Sequence, residues 1–170
     1  MKKIVGMLLL FLCCQVSGKS NQASNILTSP DGKLKVTTVS GKEGMTWTVS
    51  HEGTTVLEPS LINIVIQGKA ALTGKGKEQQ RKAVDTAFAT PFYKKARVTD
   101  TYNTLTIHYS QMDVEFRAYN DGAAYRLVYT GKKAVEVNSE KAEFRFAADY
   151  PAFVPYVPSS CSISPLTTAT

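Results

Sequence analysis

From Ile26 onward the chain sets apolar and polar residues in alternation, in short runs divided by turn residues, as strands with one buried face do. Leu34, Val36 and Thr38 alternate with Lys33, Lys35 and Thr37 after the Pro30-Asp31-Gly32 turn. Met45, Trp47 and Val49 alternate with Thr46, Thr48 and Ser50, and His51-Glu52-Gly53 turns the chain into Thr54 to Leu57. Leu61 to Ile66 is a near-continuous apolar run, which predicts a strand buried on both faces. Tyr102 to Tyr109 and Ala142 to Phe146 are the remaining strand candidates of this kind, and no repeat period indicates a solenoid or propeller.

The clearest hairpin runs from Val114 to Tyr129. Val114, Phe116 and Ala118 share one face, and Glu115, Arg117 and Tyr119 share the other. Asn120-Asp121-Gly122 then predicts a three-residue loop with a bulge, because Asn and Asp bond their own backbone and Gly takes positive φ without cost. The return arm carries Tyr125, Leu127 and Tyr129 on one side and Ala124, Arg126 and Val128 on the other. Between Gly68 and Phe88 the alternation lapses, so this stretch reads as a polar, solvated excursion with room for a short helical turn around Gln79 to Phe88. The strand spacing predicts an all-β antiparallel sandwich.

The two ends carry different signals. Met1 to Gly18 has Lys2 and Lys3, an apolar core from Ile4 to Cys14 and a small-residue exit, which predicts a secretory signal peptide and a periplasmic or secreted product. That core is about half the roughly 20 residues of a spanning helix, so no membrane span is expected. Cys13-Cys14 raises a lipoprotein as the lesser alternative, because Leu10-Phe11-Leu12 lacks the small residues a lipoprotein peptidase favours. Residues 19–157 read as the sandwich domain and 158–170 as an unstructured tail without charge or period.

The whole chain of 170 residues carries a formal charge of +6. Loss of Lys2 and Lys3 with the signal leaves 18 basic residues against 14 acidic ones, near +4 and too mild to demand an anionic partner. Cys161 alone of the three cysteines survives processing, so stability rests on a packed core rather than on an intramolecular disulfide.

Candidate chemistry is sparse. Gly68 with Gly74-Lys75-Gly76 does not make a phosphate loop: Lys69 occupies the first glycine position, and Gly76 stands where Ser or Thr belongs. The basic residues Lys69, Lys75, Lys77, Arg81, Lys82, Lys94, Lys95 and Arg97 would need to gather on one face with aromatic partners to bind nucleic acid, and no nucleic-acid partner is expected. His51 and His108 lie in separate segments without ligand spacing, and Cys161 has no activating neighbour. Asp113, Glu115, Asp121, Glu136, Glu140, Glu143 and Asp149 include no evident catalytic pair, and Glu115 reads as an ion-pair partner for Arg117 or Arg126. Trp47, Tyr102, Tyr109, Tyr119, Tyr125, Tyr129, Tyr150, Phe153 and Tyr156 could stack on sugars, but most read as strand aromatics paired with one another. No catalytic, metal or substrate-binding residue is therefore assigned.

Five ordered segments carry a family resemblance: Ser29-Pro-Asp-Gly-Lys-Leu34, Gly53 to Leu61, Thr90-Pro-Phe-Tyr-Lys94, Tyr102 to Tyr109, and Phe116-Arg-Ala-Tyr-Asn-Asp-Gly-Ala-Ala-Tyr-Arg126. In that order and spacing the chain resembles the amino-terminal domain of glycoside hydrolase family 97, the Bacteroides-type α-glucosidases and α-galactosidases. The resemblance implies a galactose-mutarotase-like super-sandwich, here incomplete at its C-terminal end. It also implies a catalytic (β/α)8 barrel as partner, oligosaccharide as ligand, and calcium in the parent enzyme with no cofactor in this chain. A barrel takes about 250 residues. The short chain thus reads as a truncated or frame-disrupted product lacking the catalytic domain and inactive alone, with a genuinely short protein as the alternative. A stand-alone secreted sandwich that binds glycan or protein is the rival reading.

Overall fold

The structure, a computed structural model, describes residues 24–91 and 94–151. It is all-β, with ten strands among the described residues: β1 (Ser24–Thr28), β2 (Leu34–Ser40), β3 (Met45–His51), β4 (Thr54–Ile66), β5 (Lys69–Ala70), β6 (Lys77–Ala89), β7 (Arg97–Tyr109), β8 (Met112–Ala118), β9 (Ala123–Tyr129) and β10 (Val137–Ala142). They form two antiparallel sheets. One runs β1-β2-β3-β4-β10, with β5 on β4, and the other runs β6-β7-β8-β9.

Local chemistry fixes the hairpins. His51 pairs with Thr54 and Ile66 with Lys69, so each connection is two residues long. Glu52 and Gly53 have φ of 50° and 85°, and Gln67 and Gly68 have 49° and 73°. Both turns are left-handed at both central positions, which matches the twist of the flanking strands. In the Ser29 turn, Ser29 Oγ donates to Asp31 Oδ1 at 2.5 Å and accepts from the Leu34 amide at 3.0 Å, which starts β2. Pro59 is accommodated where register slips: Trp47 faces Ser60 and Val49 faces Leu57, leaving Glu58 and Pro59 opposite Thr48 alone. A bulge is where a strand tolerates a residue without an amide hydrogen.

The inner faces meet in one apolar core in which Val36, Met45, Ile62, Leu72, Leu105, Ile107, Val114 and Phe116 are fully buried. Ser40 and Tyr109 join the layers through an Oγ to Oη hydrogen bond of 2.7 Å. The two layers face each other mainly through β1 and β2 against β7 and β8.

Four expectations change. Within the stretch expected as a solvated excursion with a helical turn, residues 77–89 form the 13-residue strand β6, paired along its length with β7, while 71–76 lie in no strand. As an edge strand it is mostly exposed, so its sequence lacks a buried stripe, and its charges protect the edge. The Asn120-Asp121-Gly122 loop is tighter than a three-residue bulge: register continues from Ala118–Ala123 to Tyr119, whose amide donates to the Gly122 carbonyl at 2.8 Å. Gly122 is not among the positive-φ glycines. The last strand among the described residues is Val137–Ala142 rather than 142–146. Residues 143–147 follow β4 more loosely, through Glu143 N to Leu61 O at 2.9 Å and Glu58 N to Arg145 O at 2.7 Å. Along 61–66 only Ile62, Asn63 and Ile64 are buried, so coverage on both faces is confined to the middle of that run.

The predicted signal peptide 1–18, the tail 158–170 with Cys161, the aromatics Phe153 and Tyr156, and Phe92 and Tyr93 lie outside the described residues.

Candidate functional site

Trp47 is the hinge of the candidate site. Alternation in β3 turns it inward with Met45 and Val49, leaving it 3% exposed. Its ring stands edge-on to Tyr125 at 5.4 Å between centroids and to Phe144 at 5.8 Å, and tilts against Phe116 at 6.1 Å. Tyr125 stacks on Phe144 at 6.4 Å. Beyond this cluster the sandwich is open among the described residues. A groove of about 620 Å³ runs between Trp47, Leu57, the Asn120–Gly122 turn, Phe144 and Phe146, and its walls are mainly apolar. A second recess, of about 700 Å³, continues along Tyr125, Leu127 and Val137.

Val137, Phe144 and Phe146 are 55%, 54% and 57% exposed. Large apolar side chains clustered on one surface mark an interaction site. Trp47 Nε1 is buried without a hydrogen-bond partner among the described residues, and Trp47 lines both recesses. A buried indole donor ordinarily finds an acceptor. The arrangement therefore offers an apolar surface for contact.

The sequence candidates sort around this site. Glu115 accepts from Arg117 Nε and from Arg126 Nη2, each at 2.7 Å, on the outer face of the second sheet. Burial pushes its carboxyl up, but the bonds from Arg126 and Arg117 outweigh that and hold it below the usual value. Asp113 is bound by His108 Nδ1 at 2.6 Å. Glu143 accepts from the Leu61 amide at 3.2 Å and pairs with Lys141 at 3.0 Å. Glu136 lies 3.5 Å from Asn138, while Glu140 and Asp149 are exposed strand and loop residues. Asp121 and His51 sit on the groove rim. Among the described residues no three carboxylate, His or Cys groups converge on a cation site.

Among the aromatics, Tyr102 and Tyr119 pair at 5.0 Å, and Arg117 lies 4.6 Å from the Tyr102 ring. Burial raises the Tyr109 hydroxyl above its usual value, partly offset by its bond to Ser40. These tyrosines serve the sheet. The glycines singled out against a phosphate loop do backbone work: Gly74 has φ of 82°, and a Cβ on Gly76 would come within 2.6 Å of Ile107 and Tyr109.

Sequence reasoning missed the His108–Asp113 pair. The signal was present, since Tyr109 and Met112 flank a two-residue turn that sets His108 across from Asp113. It also missed the bond from the Asp31 amide to Asn120 Oδ1 at 3.1 Å, which ties two turns of the resemblance together across the layers.

Comparison with known proteins gives one answer. A family model described as Glycosyl-hydrolase 97 N-terminal matches residues 27–164. A retaining alpha-galactosidase of Bacteroides thetaiotaomicron is 38% identical over 166 residues, covering 94% of this chain and 24% of that protein. Among solved structures, a glycoside hydrolase family 97 enzyme from Pseudoalteromonas sp. strain K8 in complex with acarbose superposes with a TM-score of 0.62 at 21% identity, over 72% of this chain and 20% of that one. That likeness speaks for the fold alone. A beta-arabinopyranosidase crystal structure gives 0.61 at 27% identity, over 72% of this chain and 21% of that one. The chain thus spans about a quarter of the length of its curated relative and about a fifth of these structures. With most of its length matched by one family model and its two-sheet architecture shared with that family's enzymes, this chain belongs to the glycosyl-hydrolase 97 N-terminal family.

Proposed function

We propose that this chain is the non-catalytic, supporting β-sandwich of a secreted α-glycosidase, an α-glucosidase or α-galactosidase, and that it packs its open flank on a catalytic (β/α)8 barrel. The observation that carries this reading is the exposed apolar strip of Val137, Phe144 and Phe146. A surface of that chemistry is costly in water and suits a protein face better than a sugar, which would demand more polar groups. Carbohydrate contact then belongs to the rim, where Asn120 and Asp121 border the groove. Chemistry belongs to the barrel: Glu115 is held by two arginines and Asp113 by His108, so neither is free to flank a glycosidic bond. The same reading makes 1–18 an export signal and the product periplasmic or secreted.

The test pairs the full chain with the separately expressed barrel of a family 97 α-galactosidase stripped of its own amino-terminal domain. We expect no hydrolysis of nitrophenyl α-galactoside or α-glucoside by the chain alone, and restored activity on mixing. Turnover by the chain unaided overturns the proposal.

A further inference from the structure

The end of the sandwich opposite the apolar groove holds a second groove, of about 790 Å³, where the β4–β5 hairpin, the β5–β6 connection and the β7–β8 turn come together. A volume of that order is within the range of small-ligand sites. Lys69, Lys75, Lys77 and His108 line it, and among the described residues no carboxylate does. None of the three lysines makes an ion pair among the described residues. Of the carboxylates around it, Asp113 is held by His108 Nδ1 at 2.6 Å and Glu78 by Arg81 Nε at 2.7 Å, while Glu136, whose backbone carbonyl accepts from the Gln67 amide, does not line the groove. The Asp113 bond occupies one ring nitrogen of His108 and leaves Nε2 for a ligand. Ser110 and Gln111 add hydroxyl and amide groups, and Met112 gives an apolar wall.

Three uncompensated ammonium groups around one concavity focus a positive field and favour an anion. We infer that this groove binds an anionic carbohydrate, one bearing sulfate or carboxylate groups. Sugar hydroxyls match Ser110 and Gln111, whereas nucleobases need exposed aromatic faces, and Tyr109 in this groove is buried. Carbohydrate as the ligand class rests on the proposed function; the preference for negative charge stands on the geometry.

The test is calorimetric titration of the full chain with a heparin-derived tetrasaccharide, neutral maltotetraose and an oligothymidine of matched charge. The sulfated sugar should bind best, and the double variant Lys75→Glu/Lys77→Glu should weaken it by at least about tenfold while keeping the parent melting temperature. Lys33→Glu, at a residue paired with Glu52 outside this groove, should leave binding within about twofold. Equal binding by the folded double variant, or oligothymidine or the neutral sugar binding as tightly as the sulfated one, overturns the inference. A chain that keeps lysine-dependent binding of the sulfated sugar but fails to restore the barrel overturns the proposed function and leaves this inference standing.

Discussion

The two flanks of the sandwich are closed by different chemistry. At the β1 flank, side chains of the second sheet reach across to backbone carbonyls of the first: Asn103 Nδ2 donates to Thr28 O at 2.8 Å, and Arg81 Nη1 donates to Ile26 O at 2.5 Å. At the β10 flank no described side chain bridges the layers by a hydrogen bond. There Phe144 leans on Tyr125 and Trp47, and every residue of β10 is exposed. One flank is finished by directional polar bonds that water can border without cost. The other is finished by apolar contact, which is non-directional and favourable only in proportion to the area it removes from water. The lesson is that two flanks of one sandwich can be closed by different means, one polar and directional, the other apolar.

The strongest way to break this comparison is Trp47→Ala. The side chain is buried at the root of the open flank, and its loss should cost about 3–5 kcal/mol, read as a drop in the urea midpoint. A small change would mean that the aromatic cluster does not hold the layers. Asn103→Ala at the sewn flank should cost about 0.5–1.5 kcal/mol, since it deletes one neutral hydrogen bond. A loss as large as that of Trp47 would make the polar stitching, rather than the core, the source of cohesion.

Glu115 belongs to neither flank and serves as a control. Its folded carboxyl lies below the unfolded value of about 4.3, because the bonds from Arg126 and Arg117 outweigh the effect of burial. Its stabilising contribution is therefore complete above that unfolded value and is lost as pH falls through the lower folded one. Glu115→Gln should flatten the acid limb of a stability profile as pH falls below the unfolded value and leave barrel rescue unchanged; an unaltered limb would remove Glu115 from the account. Phe144→Ser should cost the chain itself about 0.5–1.5 kcal/mol, because the half-exposed ring packs on Trp47 and Tyr125. The same variant should raise solubility and weaken restoration of the barrel, and if it does neither, the open flank is not an interface.

Much of this was legible in advance. The faces of β2, β3 and β8 follow from alternation alone, because each has one side on the core. The pairing of Glu115 with arginine was legible too, and both candidates are used. β6 was illegible for a physical reason: an edge strand exposed along most of its length has no buried stripe to give it a period. β10 was hidden in the same way, with all six residues exposed. The basic groove escaped because Lys69, Lys75 and Lys77 are ordinary surface residues along the chain, and their lack of carboxylate neighbours is a fact of space.

By itself, then, the sequence determined the all-β class, the turns at Gly32 and Gly53 and the family, since each depends on short-range pattern: two-residue periods, left-handed glycines and ordered motifs. Only the tertiary structure decided which strands lie at edges, which flank is sewn and which is open, and where the cations gather. Those outcomes depend on which surfaces face one another across the layers, and no local run of residues encodes that.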